Sequence, residues 1–166
     1  MTETQKEDIQ QAAPSTTSPT IEKYLKTGAH IGTRFKSGDM ARYIYKQRRD
    51  GLKVLDVQVI DERVKVVGQF LAKFSGQKIA VVSRKVYGKT PAQEFSAAIG
   101  ARAITGRFVP GTFTNPEGKE FLQPEVVIIT EPESDLQAIT EASRARAVVV
   151  ALSSTNNVLR HVDLII

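Results

Sequence analysis

Cysteine is absent from this chain, and histidine occurs only twice, as His30 and His161. Without thiols there is no disulfide, no zinc–thiolate site and no thiol nucleophile. The same absence fits a reducing cytosol. Neither histidine has a second nitrogen ligand at helical spacing, and H-E-x-x-H does not occur, so both are read as structural or surface residues. Long apolar runs are missing as well. Nothing approaches the roughly 18 uninterrupted apolar residues of a membrane span. The polar opening "MTETQKEDIQQAAPSTTSPT" lacks the apolar core of a secretory leader. A Ser-His-Asp set can be assembled from Ser83, His30 and Asp56, but there is no G-x-S-x-G elbow to expose the serine.

What is present is enough for one domain. The chain has 166 residues, 41% of them apolar, which supports a real core without staples. Residues 1–20 are too polar to fold alone and are expected to form a flexible tail, with a single α/β domain over 21–166. The net charge is +5, and it is segregated. Residues 1–22 carry −3, and residues 23–53 carry +7, with nine Lys/Arg against Asp39 and Asp50. Residues 54–109 carry +5, whereas 110–166 carry −4. A chain needing only solubility would intersperse its charges, so this pattern points to a polyanionic partner.

The hydrophobic pattern predicts a short helix at "PTIEKYLKTG" ended by Gly28. "RYIYK" and "LKVLDV" flank Asp50-Gly51, a strong hairpin signal, and are expected to pair antiparallel. From Asp56, a suitable N-cap, Val57, Ile60, Val64, Val67, Leu71 and Phe74 mark one face of an amphipathic helix of about five turns. Then "KIAVVS", a helix from Pro91 to about Ala98, "ARAIT", a long loop, "PEVVIIT", a helix from about Ser134 to Arg144, "AVVVAL" and "VDLII" follow. These apolar runs do not alternate, as in parallel strands covered on both faces, so an open, mostly parallel α/β sheet is expected.

The turn "SRKVYGKTP" resembles a nucleotide-binding P-loop, because Gly88-Lys89-Thr90 lies between a strand and a helix. The loop's first glycine would fall at Ser83, however, where a Cβ hinders convergence of the backbone N–H groups on phosphate. Carboxylates placed to hold Mg²⁺ are also poor, since Glu131 is followed at once by Pro132 and Asp163 opens the final strand. A plain strand-to-helix turn, with Pro91 in the first helical turn, accounts for the letters. Glu131, Glu133 and Asp135 near a helix start are explained by the helix dipole.

The densest cationic stretch is "TRFKSGDMARYIYKQRRDGLK". Arg34, Lys36, Arg42, Lys46, Arg48, Arg49 and Lys53 are interleaved there with Phe35, Tyr43 and Tyr45. Guanidinium forks match phosphate oxygens and aromatics stack on unpaired bases, which points to RNA. The alternative is a solvated basic surface, and the tyrosines are read as core residues of a strand. In "RFVPGTFTNP", Arg107, Thr112, Thr114 and Asn115 are placed to contact a nucleic-acid backbone, or else form a packed structural turn. If "IAVVS" and "ARAIT" are parallel, Arg84, Lys85, Lys89 and Arg107 leave the sheet at one edge and form a shared electropositive rim, with the acidic last third turned elsewhere.

"YLKTGAHIGTR", "YIYKQRRDGLKVLD", "VVSRKVYG", "ITGRFVPGTFTNP" and "EVVIITEPESDLQAITEA" together resemble the small ribosomal subunit protein S-two family, in order and with family-like spacing from about Ile21 to Ile166. The short connection after Asn115, without the coiled-coil insertion of bacterial members, looks archaeal-type and related to the eukaryotic laminin-receptor-like ribosomal protein. The family pattern continues past "VDLII" with a further turn and helix, so the domain is expected to be short at its C-terminal end. At Ser154 to Asn157, "STNN" replaces the usual Asp/Thr/Asn turn, and no role is assigned to it. The resemblance implies a flavodoxin-like sheet and a non-catalytic structural constituent of the small ribosomal subunit. It further implies binding to ribosomal RNA and neighbouring ribosomal proteins in the cytoplasm, with no cofactor, metal, membrane or small-molecule substrate. The rivals are a nucleotide-binding enzyme on a doubly wound fold and a free-standing RNA-binding or adhesion module.

Overall fold

The computed structural model describes residues 19–166, so the expected tail over residues 1–20 lies almost wholly outside the described residues. Helix α1 spans Pro19–Thr27 and ends at Gly28. Strands β1 (Ile44–Gln47) and β2 (Lys53–Leu55) form the antiparallel hairpin the Asp-Gly turn predicts. Gly51 holds φ +87°, and Asp50 Oδ1 accepts the Leu52 N–H at 3.2 Å to close the turn.

Helix α2 runs Val57–Leu71, and Asp56 caps it by accepting the Gln58 N–H at 2.9 Å. It has about four turns rather than five. Phe74 lies beyond its end and packs on Phe70 with ring centroids 5.0 Å apart, which keeps the apolar spacing going past the last helical turn.

The main sheet has five strands, all parallel: β3 (Ile79–Ser83), β4 (Arg102–Thr105), β5 (Val126–Ile129), β6 (Val148–Ala151) and β7 (Leu164–Ile165). Their spatial order is β4-β3-β5-β6-β7, the flavodoxin-like arrangement. Side chains alternate between two cores. Ala80, Val82, Val127, Ile129, Val149 and Ala151 face helix α4 (Leu136–Arg144), whose Ala138, Ile139 and Ala142 are wholly buried. Ile79, Val81, Val126, Ile128 and Val150 face α2 and helix α3 (Val86–Ile99) through Val67 and Ala92. Burying each such valine or isoleucine contributes about 1.5–3 kcal/mol, which is why the apolar runs show no polar alternation.

Helix α3 corrects the expected start at Pro91: it begins at Val86, so Gly88, Lys89 and Thr90 are helical and Pro91 sits in its second turn. There it has no N–H for the Tyr87 carbonyl and its ring crowds that carbonyl, a local cost that the rest of the helix outweighs. The early start is possible because residue 88 is glycine. A Cβ there would lie 2.3 Å from Ser83 Oγ, so only glycine lets the first turn press onto β3. Between β4 and β5 the chain runs through residues 106–125 without a helix, and Phe108 and Phe113 plug the α4-side core.

Candidate nucleic-acid interface

A two-stranded hairpin is marginal by itself. Here residues 30–33 run along β2 through one isolated antiparallel bridge, Ile31 to Val54: the Leu55 N–H donates to His30 O at 2.8 Å, Gly32 N–H to Lys53 O at 2.9 Å, and Lys53 N–H to Thr33 O at 3.0 Å. This layer is clasped to the main domain by the turn at Ser154 to Asn157. Thr155 is fully buried, its Oγ1 accepts the Thr33 N–H at 2.9 Å, and its carbonyl accepts the Ser37 N–H at 2.9 Å. Gly32 makes the close approach possible, since a Cβ would lie 2.3 Å from Thr155 Cγ2. Asp39 extends the clasp by accepting the Leu159 N–H at 3.0 Å.

On this braced layer Arg34, Lys36, Arg42, Lys46, Arg48 and Arg49 are exposed and Lys53 is half-buried. Lys53 bonds to Gln47 across the hairpin, and Arg48 pairs with Asp50 at 3.4 Å. An exposed pair of that kind is worth little, so Arg48 stays available to a phosphate. The two tyrosines differ. Tyr43 is buried as expected, but Tyr45 is 69% exposed: Tyr43 closes a 3-10 turn (Ala41–Tyr43) ahead of β1, and the strand's register shifts between Ile44 and Lys46, so the two rings do not share a face. Phe35 is 78% exposed. Two aromatic faces therefore stand in solvent among the cations.

The second group of cations leaves the carboxyl edge of the sheet. Ser83 pairs with Thr105 in parallel register, and Gly106 N–H donates to Ser83 O at 2.8 Å, so Arg84 and Arg107 emerge at the same edge. Both are exposed, as are Lys85 and Lys89. This edge also holds the point between β3 and β5 where strand order reverses, the usual ligand crevice of open α/β sheets.

Two findings modify the expected rim. Lys85 Nζ is 2.9 Å from Glu131, at the exit of β5, so the acidic last third returns to this edge instead of turning away from it. Asn157 and Asn156 donate to Glu131 and Glu133 at 3.3 and 3.2 Å, which fixes that acidic lip. At the crevice itself, Ser83 is fully buried and its Oγ is 2.9 Å from Thr130 Oγ1. Gly88 packs against this hydroxyl pair, since a Cβ there would lie 2.3 Å from Ser83 Oγ and 3.3 Å from Thr130 Oγ1. Asp135 is buried nearby and its Oδ2 accepts the Arg84 N–H at 3.3 Å. Burial pushes its carboxyl above the usual carboxylate range, and the Arg84 N–H and guanidinium pull only partly the other way.

The loop "GRFVPGTFTNP" is anchored by Glu141, a residue the sequence did not single out. Glu141 is buried and accepts from Gly111 N at 2.8 Å, Phe113 N at 3.3 Å and Gln137 Nε2 at 2.7 Å. Thr112 is buried too and donates to Val109 O at 2.7 Å, so it is not a contact residue. Arg107, Thr114 and Asn115 remain on the outside.

No protein-family model matches the chain. Among the described residues no cluster of three or more His, Asp or Glu is placed to hold a metal ion, and no helix is long and apolar enough to cross a membrane.

Proposed function

We propose that the chain is a structural constituent of the small ribosomal subunit, an archaeal-type member of the S-two family that binds ribosomal RNA and neighbouring ribosomal proteins. In this reading it is cytoplasmic, ribosome-bound and without catalytic activity. The observation that carries it is the β1–β2 layer, where exposed arginines and lysines surround the exposed rings of Phe35 and Tyr45 on a backbone clasped by Thr155. Rigid presentation lowers the ordering cost of binding, and stacking on unpaired bases adds to phosphate contacts. The resemblance of "YIYKQRRDG" and "GRFVPGTFTNP" to the S-two family supports the ribosomal assignment. The contact of buried Ser83 with Thr130, in place of the first P-loop glycine, argues against a nucleotide-dependent enzyme at the Gly88 turn.

Cosedimentation with small ribosomal subunits through a salt gradient tests this directly. Retention that weakens steeply with salt is expected, and no retention at low salt would overturn it. ATP and GTP are expected not to bind. A nucleotide affinity that disappears in Lys89→Ala would restore the enzyme reading.

A further inference from the structure

A cleft of about 700 Å³ lies between the segment around residues 38–43, α2 and the turn that leads into β7. Arg42, Arg63 and Arg160 line it, one from each wall. None of the three pairs with a carboxylate among the described residues. Arg42 and Arg63 are held on the ring of Tyr43, their guanidinium carbons 4.9 and 5.9 Å from its centroid. Such stacking fixes a guanidinium plane while leaving its N–H edge free to donate.

Two carboxylates share the lining, and each is engaged with the backbone. Asp39 Oδ2 accepts the Leu159 N–H at 3.0 Å, and Asp163 Oδ2 accepts the Val149 N–H at 2.8 Å. Asp39 ties two walls together, Asp163 anchors its own turn to β6, and the lining is left at three positive charges against two negative. His161, next to Arg160, holds φ +63° in a turn closed by the Val162 N–H on Leu159 O at 3.1 Å. Left-handed backbone at a non-glycine residue is strained, and it persists only where the surroundings over-determine it.

We propose that this cleft is a phosphate-binding site that takes one phosphate group of the RNA backbone; the proposal rests on the RNA reading above. Converging arginine forks suit a tetrahedral oxyanion, and the small excess of positive charge suits one phosphate, not a polyphosphate chain. The ring of Tyr43 is buried beneath two guanidinium groups, so the cleft offers phosphate contacts without base stacking. Arg42 joins it to the hairpin, so one RNA strand crossing β1 continues into it. A free phosphate would satisfy the same chemistry.

The test measures binding of the full chain to deproteinised small-subunit ribosomal RNA against salt. The parent is compared with Arg160→Gln, with Arg63→Gln/Arg160→Gln and with Arg48→Gln/Arg49→Gln. Arg160 is exposed and stacks on nothing described, so its variant is expected to fold normally. Losing one phosphate contact is expected to reduce the salt slope by about 0.7–0.9, so that the parent's advantage shrinks roughly threefold between about 50 and 200 mM salt. If the parent and the hairpin variant differ but both cleft variants match the parent, the cleft proposal falls and the RNA reading stands. If the cleft variants match the parent on RNA yet are lost from intact subunits, the cleft faces a protein and the proposal is again overturned. If the parent binds no RNA, the RNA reading falls and the backbone-phosphate site with it. Titration with inorganic phosphate, followed at the arginine side-chain N–H resonances, identifies the source. Saturable shifts at Arg42, Arg63 and Arg160 without RNA binding would assign the cleft to free phosphate instead.

Discussion

The parallel sheet and the β1–β2 layer are made of nearly opposite materials. Strands β3, β5 and β6 are buried along almost their whole length, and their stability comes from apolar surface removed from water. The hairpin strands are mostly exposed or half-buried, carry Lys46 and Lys53, and meet the core chiefly through Ile44 and Leu55, beside Tyr43 just ahead of β1. A sheet of the first kind holds itself together. A layer of the second kind must borrow rigidity, and it does so through Gly32, Thr33 and Ser37 on Thr155. The difference separates core from surface: the sheet makes the domain, while the clasped layer leaves its charges exposed to solvent at little cost to the core.

Breaking the clasp should produce the largest effect. Gly32→Val forces side-chain atoms into Thr155, and overpacking of this kind costs about 1–3 kcal/mol. Hydrogen exchange is expected to show the amides of Lys53 and Leu55 losing protection while those of Val127 and Val149 keep theirs. Equal loss in both regions would mean that the two are one cooperative unit. Removing the loop anchor should cost a comparable amount. Glu141→Ala leaves the Gly111 and Phe113 N–H groups without their acceptor, for about 1–3 kcal/mol. A fall in melting temperature with an unchanged salt slope for RNA binding is expected.

The smallest effect concerns Asp135. Its native pKa is raised by burial, so the folded state holds the proton more tightly than the unfolded chain. Stability from this group is therefore present at low pH and is lost as pH rises from the ordinary carboxylate range through the raised native value. Asp135→Asn is expected to flatten that dependence in denaturant titrations run from the ordinary carboxylate range upward. A parent whose stability rises as steeply as the variant's over this window would contradict the assignment.

Much of the fold was legible because it is written locally. "IAVVS", "VVII" and "VVVA" are continuous apolar runs, Asp56 caps α2, and Asp50-Gly51 marks the hairpin. The start of α3 was misread because proline's preference for the first turn outweighed a packing fact that letters do not carry, the contact of Gly88 with Ser83. The site was less legible for the same reason. The basic run between Arg34 and Lys53 is contiguous and stood out. Thr155 acts on Thr33 across 122 residues, and Glu141 reaches Gly111 across 30. Arg63 and Arg160 meet Arg42 only in space, and the Lys85–Glu131 pair undoes a charge segregation that the linear sequence displays. Each of these depends on tertiary contact between segments with no shared pattern.

The central claim is that the β1–β2 layer carries the affinity for ribosomal RNA. The most direct measurement is the salt dependence of binding to deproteinised small-subunit ribosomal RNA for the parent and for Arg48→Ala/Arg49→Ala. If the two arginines each neutralise a phosphate, the slope should fall by about 1.4–1.8 and affinity at low salt should drop with it. Equal slopes for the two proteins would contradict the account.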